Sequence, residues 1–290
     1  MTRPIVISAT PTLFSEDLSV DPAAIRDHLS WLRDSGVDAI FSAGTTGEFT
    51  TLSDEERFEV LDVSLEVFGP SRTYFHVGAP SAHQAAALAR SARSRGAELL
   101  AAVTPYYHPA PEEAVLDYYE QVVAAADGAD VFAYLFEART TTPSEPAVLA
   151  RLAARGVAGV KISGESDERV DAFLRERPEG FTVYSGNDVS FEWFSTAGGD
   201  GIVSGVSSVY PEPFIRVRDA LRAGDAEALR SAQRDVERAV AAVNAGSLTH
   251  LKAGVSARGF AAGPVRSAVA AAPEDDRRRI ADLVAEVVPA

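Results

Sequence analysis

Short apolar runs of β type alternate along the chain with amphipathic stretches of helical period. The first run is Ile5–Ala9, closed by Thr10-Pro11-Thr12. Asp21 and Pro22 suit the N-cap and first turn of a helix reaching Asp34. A second run, Asp38–Ala43, ends in Gly44-Thr-Thr-Gly-Glu48, where Glu48 could merely begin a helix or stand among the strand-end candidates. Ser53-Asp-Glu-Glu56 forms a capping box for the next helix, which Gly69-Pro70 stops. The third run is Thr73–Gly78, with Ser81 capping a helix to Arg95; the fourth is Glu98–Val103, leading into Thr104-Pro-Tyr-Tyr-His108. A helix over Pro111–Ala126 precedes the fifth run, Asp130–Phe136. Helices over Ser144–Ala154, Asp167–Arg177 and Val189–Ala197 separate the last three runs, Val157–Ile162, Phe181–Ser185 and Gly201–Ser204. From Asp225 the strands stop, and Ala/Arg/Glu-rich helices continue to Val288.

Eight β/α repeats whose strands are apolar on both faces predict a parallel sheet covered by helices. Closure after the eighth gives an α/β fold of the TIM (β/α)8 barrel type over residues 1–224, with a C-terminal helical region over 225–290. An open doubly wound sheet is the competitor, but no strand is followed by a Gly-x-Gly-x-x-Gly turn.

Composition narrows the chemistry. With 46% hydrophobic and 24% charged residues, the 290-residue chain is ordinary for a globular protein. A net charge of -15 argues against a nucleic-acid or anionic membrane partner. The absence of cysteine removes disulfides, thiol nucleophiles and cysteine metal sites together. The five histidines are scattered without ligand-like spacing, so neither a metal nor another cofactor is expected. No charged-then-apolar segment opens the chain and no run reaches the roughly 20 apolar residues of a membrane span, which predicts a cytoplasmic protein.

In such a barrel, active-site residues lie where strands end. Those ends supply Thr45, Thr46 and Glu48, then Tyr106 and Tyr107, then Tyr134 and Arg139, then Lys161. Lysine is among the side chains least often buried unpaired, and Lys161 sits in the apolar run Gly156-Val-Ala-Gly-Val-Lys-Ile-Ser-Gly164. It could snorkel to solvent, or its desolvated amine could attack a carbonyl and form an imine. Tyr134 could be a core aromatic, or a phenol moving protons one strand away. The Gly44–Gly47 turn could simply reverse the chain, or offer N–H groups and hydroxyls to a carboxylate. Arg139 could pair on the surface, or fork onto a second carboxylate. Tyr106 and Tyr107 could pack a loop or anchor an interface. Their occurrence together at successive strand ends favours the catalytic reading.

Gly44-Thr-Thr-Gly-Glu48, Thr104-Pro-Tyr-Tyr107, Tyr134 with Arg139-Thr140, and Gly159-Val-Lys161 resemble the signatures of the dihydrodipicolinate synthase / N-acetylneuraminate lyase family. The resemblance spans essentially the whole chain. It implies a class I, metal-independent lyase or aldolase that forms a Schiff base with pyruvate or a related 2-keto acid. Lys161 is then the Schiff-base lysine and Tyr134 the proton shuttle. Thr46 relays protons between Tyr134 and Tyr107 of a neighbouring subunit, and Thr45 with Thr46 holds the keto-acid carboxylate. Arg139 corresponds to the arginine that receives the carboxylate of aspartate semialdehyde. Gly186, in Ser185-Gly-Asn-Asp188, and the backbone of Val203 line the pocket. Family members usually assemble as homotetramers, dimers of tight dimers.

The chain departs from the synthase pattern at Leu135, Glu137, Thr141 and Ile162. All four belong with the second substrate rather than the Schiff base. Synthase-type condensation of pyruvate with aspartate semialdehyde therefore leads, followed by an aldolase or dehydratase for a 2-keto-3-deoxy sugar acid or a related hydroxy-keto acid. A non-catalytic keto-acid sensor would have no need of a proton shuttle.

Overall fold

The structure is a computed structural model and describes residues 4–287. Eight strands, β1 (Ile5–Ala9), β2 (Ala39–Ser42), β3 (Thr73–His76), β4 (Leu99–Val103), β5 (Asp130–Leu135), β6 (Gly159–Ile162), β7 (Thr182–Ser185) and β8 (Gly201–Ser204), follow one another in sequence order around a closed barrel. This is the TIM barrel that the alternation of runs predicts. The intervening helices are α1 (Pro22–Ser35), α2 (Asp54–Phe68), α3 (Ala82–Ser94), α4 (Glu112–Ala125), α5 (Glu137–Thr140), α6 (Val148–Ala153), α7 (Asp167–Arg175) and α8 (Phe191–Thr196). Helices α9 (Pro211–Ala223), α10 (Ala226–Ala242), α11 (Leu248–Ala257) and α12 (Glu274–Val287) complete the described chain; Val288 lies outside the described residues.

Local chemistry sets most boundaries. The Asp21 carboxylate accepts from the N–H groups of Ala23 and Ala24 at 3.1 and 3.0 Å, and Gly36 ends α1 at φ 94°. Ser53 and Glu56 form the reciprocal capping box that the sequence predicts. Three elements differ from expectation. The helix expected from Ser144 starts only at Val148, because Pro146 disfavours helical backbone at the residue before it. The helix expected from Val189 opens as a 3-10 turn, Asp188–Ser190. Glu48 does not begin a helix in helical conformation: it adopts a left-handed backbone at φ 55°, ahead of a 3-10 turn over Phe49–Thr51. The single-turn helix α5 has no strong periodic signal, being only Glu137–Thr140.

The chain clusters into two compact units. One is built on Pro70–Val203. Its strands run parallel with Val103, Tyr134, Lys161 and Tyr184 in successive register. Inside it, Tyr74, Phe132 and Tyr184 pack ring against ring, with the Tyr74 and Tyr184 hydroxyls 2.8 Å apart. Burial raises the pKa of both phenols, so they serve each other as hydrogen-bond partners. Gly159 is required beside them, since an added Cβ would lie 2.6 Å from the Thr182 carbonyl oxygen.

The other unit combines Ile5–Gly69 with the chain from Ser204 onward. Asp38 accepts from the Val6 N–H at 2.8 Å and pairs with Arg218 of α9 at 2.9 Å, tying β1 and β2 to that helix. His28 of α1 is buried against Trp31 and Phe260, and its Nε2 donates to the Ser208 carbonyl at 2.8 Å.

Burial pushes the His28 pKa down to about 4 from its ordinary 6.5. The unfolded chain therefore binds a proton below pH 6.5 that the folded chain refuses until pH 4, so stability falls as pH drops through this window. Between pH 7 and pH 5 the loss attributable to His28 is about 2 kcal/mol. Urea unfolding at the two pH values should show this loss in the parent and its absence in His28→Gln; equal pH dependence in both would assign it to other groups.

Candidate active site

In the unit built on Pro70–Val203, β5 and β6 place Tyr134 and Lys161 side by side, directly paired in register. Lys161 is only 7% exposed. Its Nζ lies 4.1 Å from the centroid of the Tyr134 ring. A cation over an aromatic face recovers part of the hydration lost on burial. Tyr134 is itself 2% exposed and sits between two rings: His76 edge-on at 6.4 Å and Phe136 stacked at 5.8 Å. The His76 Nε2 accepts from the Val103 N–H at 3.1 Å, which fixes the imidazole. Only the two-residue alternation of β3, placing Tyr74 and His76 on one face, could have flagged His76 in sequence.

Gly186, directly after β7, closes on the lysine. An added Cβ there would lie 2.1 Å from Ser163 Oγ and 3.3 Å from Lys161 Cε. Its N–H donates to the Ile162 carbonyl at 2.7 Å, continuing the β6–β7 ladder past Lys161. The Asn187 side chain donates to Ser190 Oγ and Asp167 Oδ1 at 3.0 and 3.3 Å. Val203 is buried on β8.

Arg139 lies on α5 with its side chain exposed and its guanidinium 6.0 Å from the Phe136 ring centroid. A buried threonine network sets this loop, and sequence reading did not single it out. Thr104 Oγ1 donates to Thr140 Oγ1 at 3.0 Å, and Thr140 Oγ1 donates to the Phe136 carbonyl at 3.1 Å. Thr142 Oγ1 donates to the Pro105 carbonyl at 2.8 Å and accepts from the Ala110 N–H at 3.1 Å. The loops after β4 and β5 are thereby joined, the first carrying Tyr107 and the second Arg139. Tyr107 is 83% exposed, adopts a left-handed φ of 78°, and packs its ring against His108 at 4.9 Å.

Thr45 and Thr46 lie in the other unit, on the turn after β2, each half-buried. Two non-glycine residues in left-handed conformation bracket the turn, Ala43 at φ 51° and Glu48 at φ 55°. Such backbone persists only where its surroundings over-determine it. Thr12 Oγ1 donates to the Gly47 carbonyl at 2.7 Å, and the Glu48 N–H to the Thr45 carbonyl at 3.1 Å. Among the described residues no group of three or more potential ligand side chains could hold a metal ion, and no helix is long and apolar enough to cross a membrane.

Residues 4–287 match the Dihydrodipicolinate synthetase family. An uncharacterized DapA-like lyase of Halobacterium salinarum is 35% identical over 282 residues, covering 96% of this chain and 92% of that protein. A 4-hydroxy-tetrahydrodipicolinate synthase of Pelodictyon phaeoclathratiforme is 33% identical over 229 residues, covering 78% and 77% of the two chains. Among solved structures, the dihydrodipicolinate synthase of Aquifex aeolicus superposes with a TM-score of 0.90 at 22% identity, over 98% of this chain and 97% of the other. A variant of the 2-keto-3-deoxygluconate aldolase of Sulfolobus solfataricus gives 0.85 at 24% identity, over 98% and 96%. These two likenesses show the shared fold.

The crowding at Gly186 is open to test. Gly186→Ala should destabilise the protein by about 1–3 kcal/mol, the usual cost of overpacking a filled site. Removing the Ser163 hydroxyl in Gly186→Ala/Ser163→Ala should return most of that loss, read by chemical denaturation. Additive effects of the two substitutions would mean that the clash is relieved elsewhere.

Proposed function

The chain belongs to the Dihydrodipicolinate synthetase family, whose members are lyases and aldolases, and from that premise we propose that it is a lysine Schiff-base enzyme acting on pyruvate or another 2-keto acid. The observation that carries the reading is the buried Lys161 amine against the Tyr134 ring on the adjacent strand. The neutral amine attacks the keto carbon to form a carbinolamine. The Tyr134 hydroxyl donates a proton to the departing oxygen, which leaves as water, and an iminium remains. The Tyr134 phenolate left by that step takes up a C3 proton to give an enamine, which adds to an aldehyde whose oxygen is protonated by the same hydroxyl; the reverse order cleaves an aldol. Hydrolysis of the product imine returns the free lysine.

The remaining roles are assigned from the motifs. Thr45 and Thr46 hold the keto-acid carboxylate through N–H groups and hydroxyls. Thr46 relays protons between Tyr134 and Tyr107 of a second copy, and the working assembly is a homotetramer. The 83% exposure of Tyr107 and its left-handed backbone support a residue that a neighbouring chain must cover. Gly186 and the Val203 backbone line the pocket, and Arg139 takes the carboxylate of the second substrate.

Synthase-type condensation of pyruvate with aspartate semialdehyde is the leading reaction, supported by Arg139 and by the synthase relatives at about a third identity. The second reading is aldol cleavage or dehydration of a 2-keto-3-deoxy sugar acid. What favours it is the surround of Arg139: Glu137 on the same helical turn, and Phe136 under the guanidinium. A carboxylate arriving there meets a like charge nearby, whereas a hydroxylated chain does not.

Borohydride reduction in the presence of pyruvate should add one reduced pyruvyl group to Lys161, located by peptide mass, and Lys161→Ala should abolish both label and turnover. A label on another lysine would overturn the assignment.

Steady-state kinetics of Arg139→Ala with both second substrates separates the two reactions. If aspartate semialdehyde is the acceptor, its kcat/KM should fall about ten- to a hundredfold, the range for one charge-assisted hydrogen bond. Imine trapping with pyruvate should persist. A parent enzyme that turns over only 2-keto-3-deoxygluconate would reject the synthase reaction and keep the Schiff base.

A further inference from the structure

Glu48 directly follows the turn that carries Thr45 and Thr46, yet its side chain has no exposed surface. Its Oε2 accepts from the Ser267 N–H at 2.7 Å, and its Oε1 lies 3.2 Å from the Lys252 Nζ of α11. Glu48 and Lys252 thus form a buried ion pair. Lys252 spends its directed bond on the Pro264 carbonyl at 2.6 Å and lies 4.1 Å from the Phe14 ring centroid. Burial pushes its pKa down to about 8. Arg266 closes the cluster from the side, bonding the Thr51 carbonyl at 3.1 Å and the Glu56 carboxylate.

The same helix reaches the substrate turn a second way. An added Cβ on Gly205 would meet Thr46 Oγ1 at 3.0 Å and Leu251 Cδ1 at 3.4 Å, so Leu251, next to Lys252, flanks the same point as the Thr46 hydroxyl. A buried ion pair gains little stability over apolar side chains of the same shape. Here it instead joins a strained turn to a helix from a distant part of the chain.

We propose that Glu48 and Lys252 are positioning residues that hold the Thr45–Thr46 turn in the conformation that receives the carboxylate of the keto acid. This rests on the Schiff-base reading above and adds to it a role for the C-terminal helices in substrate affinity. Neither residue touches the substrate. With Lys252 gone, the buried Glu48 carboxylate loses its nearest counter-charge and keeps only the Arg266 guanidinium, which is committed to Glu56, and the left-handed backbone at Glu48 is the first element free to relax. A displaced anion-binding turn weakens carboxylate capture while leaving Lys161 and Tyr134 in place.

The test is borohydride labelling of Lys161 by pyruvate, followed by intact mass as a function of pyruvate concentration. Glu48→Gln and Lys252→Met should each raise the half-saturating pyruvate concentration about ten- to a hundredfold, the scale for a displaced positioning group. Labelling at saturating pyruvate should stay within about twofold of the parent, which separates binding from chemistry. The neutral pair Glu48→Gln/Lys252→Met should recover most of the loss, because neither charge is then left alone. If Lys252→Met does not fold by circular dichroism, Glu48→Gln and the double variant carry the test. Unchanged half-saturation in folded variants, or a fall in maximal labelling alone, overturns the proposal. A parent that labels with neither pyruvate nor any other 2-keto acid overturns the Schiff-base reading, and this inference with it.

Discussion

A lysine side chain buried in a barrel strand is the element around which the candidate site is packed, and its neighbours make sense as answers to that burial. Removing an ammonium from water is unfavourable unless something replaces its hydration. The Tyr134 ring, 4.1 Å from the amine, is one such replacement. Tyr134 in turn is fixed by Phe136 and by His76, whose own ring is fixed by a backbone N–H of β4. Gly186 is present because the space a side chain would need is occupied by Ser163 and the lysine stem. One buried amine thus constrains residues on four strands.

The loops are organised by buried hydroxyls rather than by charge. Thr104, Thr140 and Thr142 satisfy one another and the nearby carbonyls, so the chain after β4 and the chain after β5 are tied together. Neutral bonds of this kind cost little to desolvate when fully satisfied, yet are expensive to break singly. Arg139 and Tyr107 can remain exposed on such loops because the backbone beneath them is held independently. The turn carrying Thr45 and Thr46 uses a different device, two left-handed residues kept in place by side chains from elsewhere in their own unit.

The amino-acid sequence alone determined the eight β/α repeats, the capping of α1 and α2, and the candidates Lys161, Tyr134, Thr45, Thr46, Tyr107 and Arg139. These are legible because period, caps and motif spacing are local properties, set within a few residues. The beginnings of α6 and α8 were misplaced where a proline or a 3-10 turn outweighed the apolar pattern. Nothing within its own turn reveals that Glu48 takes a left-handed backbone and a buried partner. Lys252 carried no distinguishing signal, His76 only the alternation of β3, and Thr140 a place in a motif that does not reveal what its hydroxyl bonds. What they do depends on which distant groups they meet: a backbone N–H across β3 and β4, a hydroxyl from another loop, a carboxylate from the far end of the chain. Those meetings are decided by packing. A polar atom taken out of water must find a partner wherever the closed fold has placed one, and only the tertiary structure says where that is.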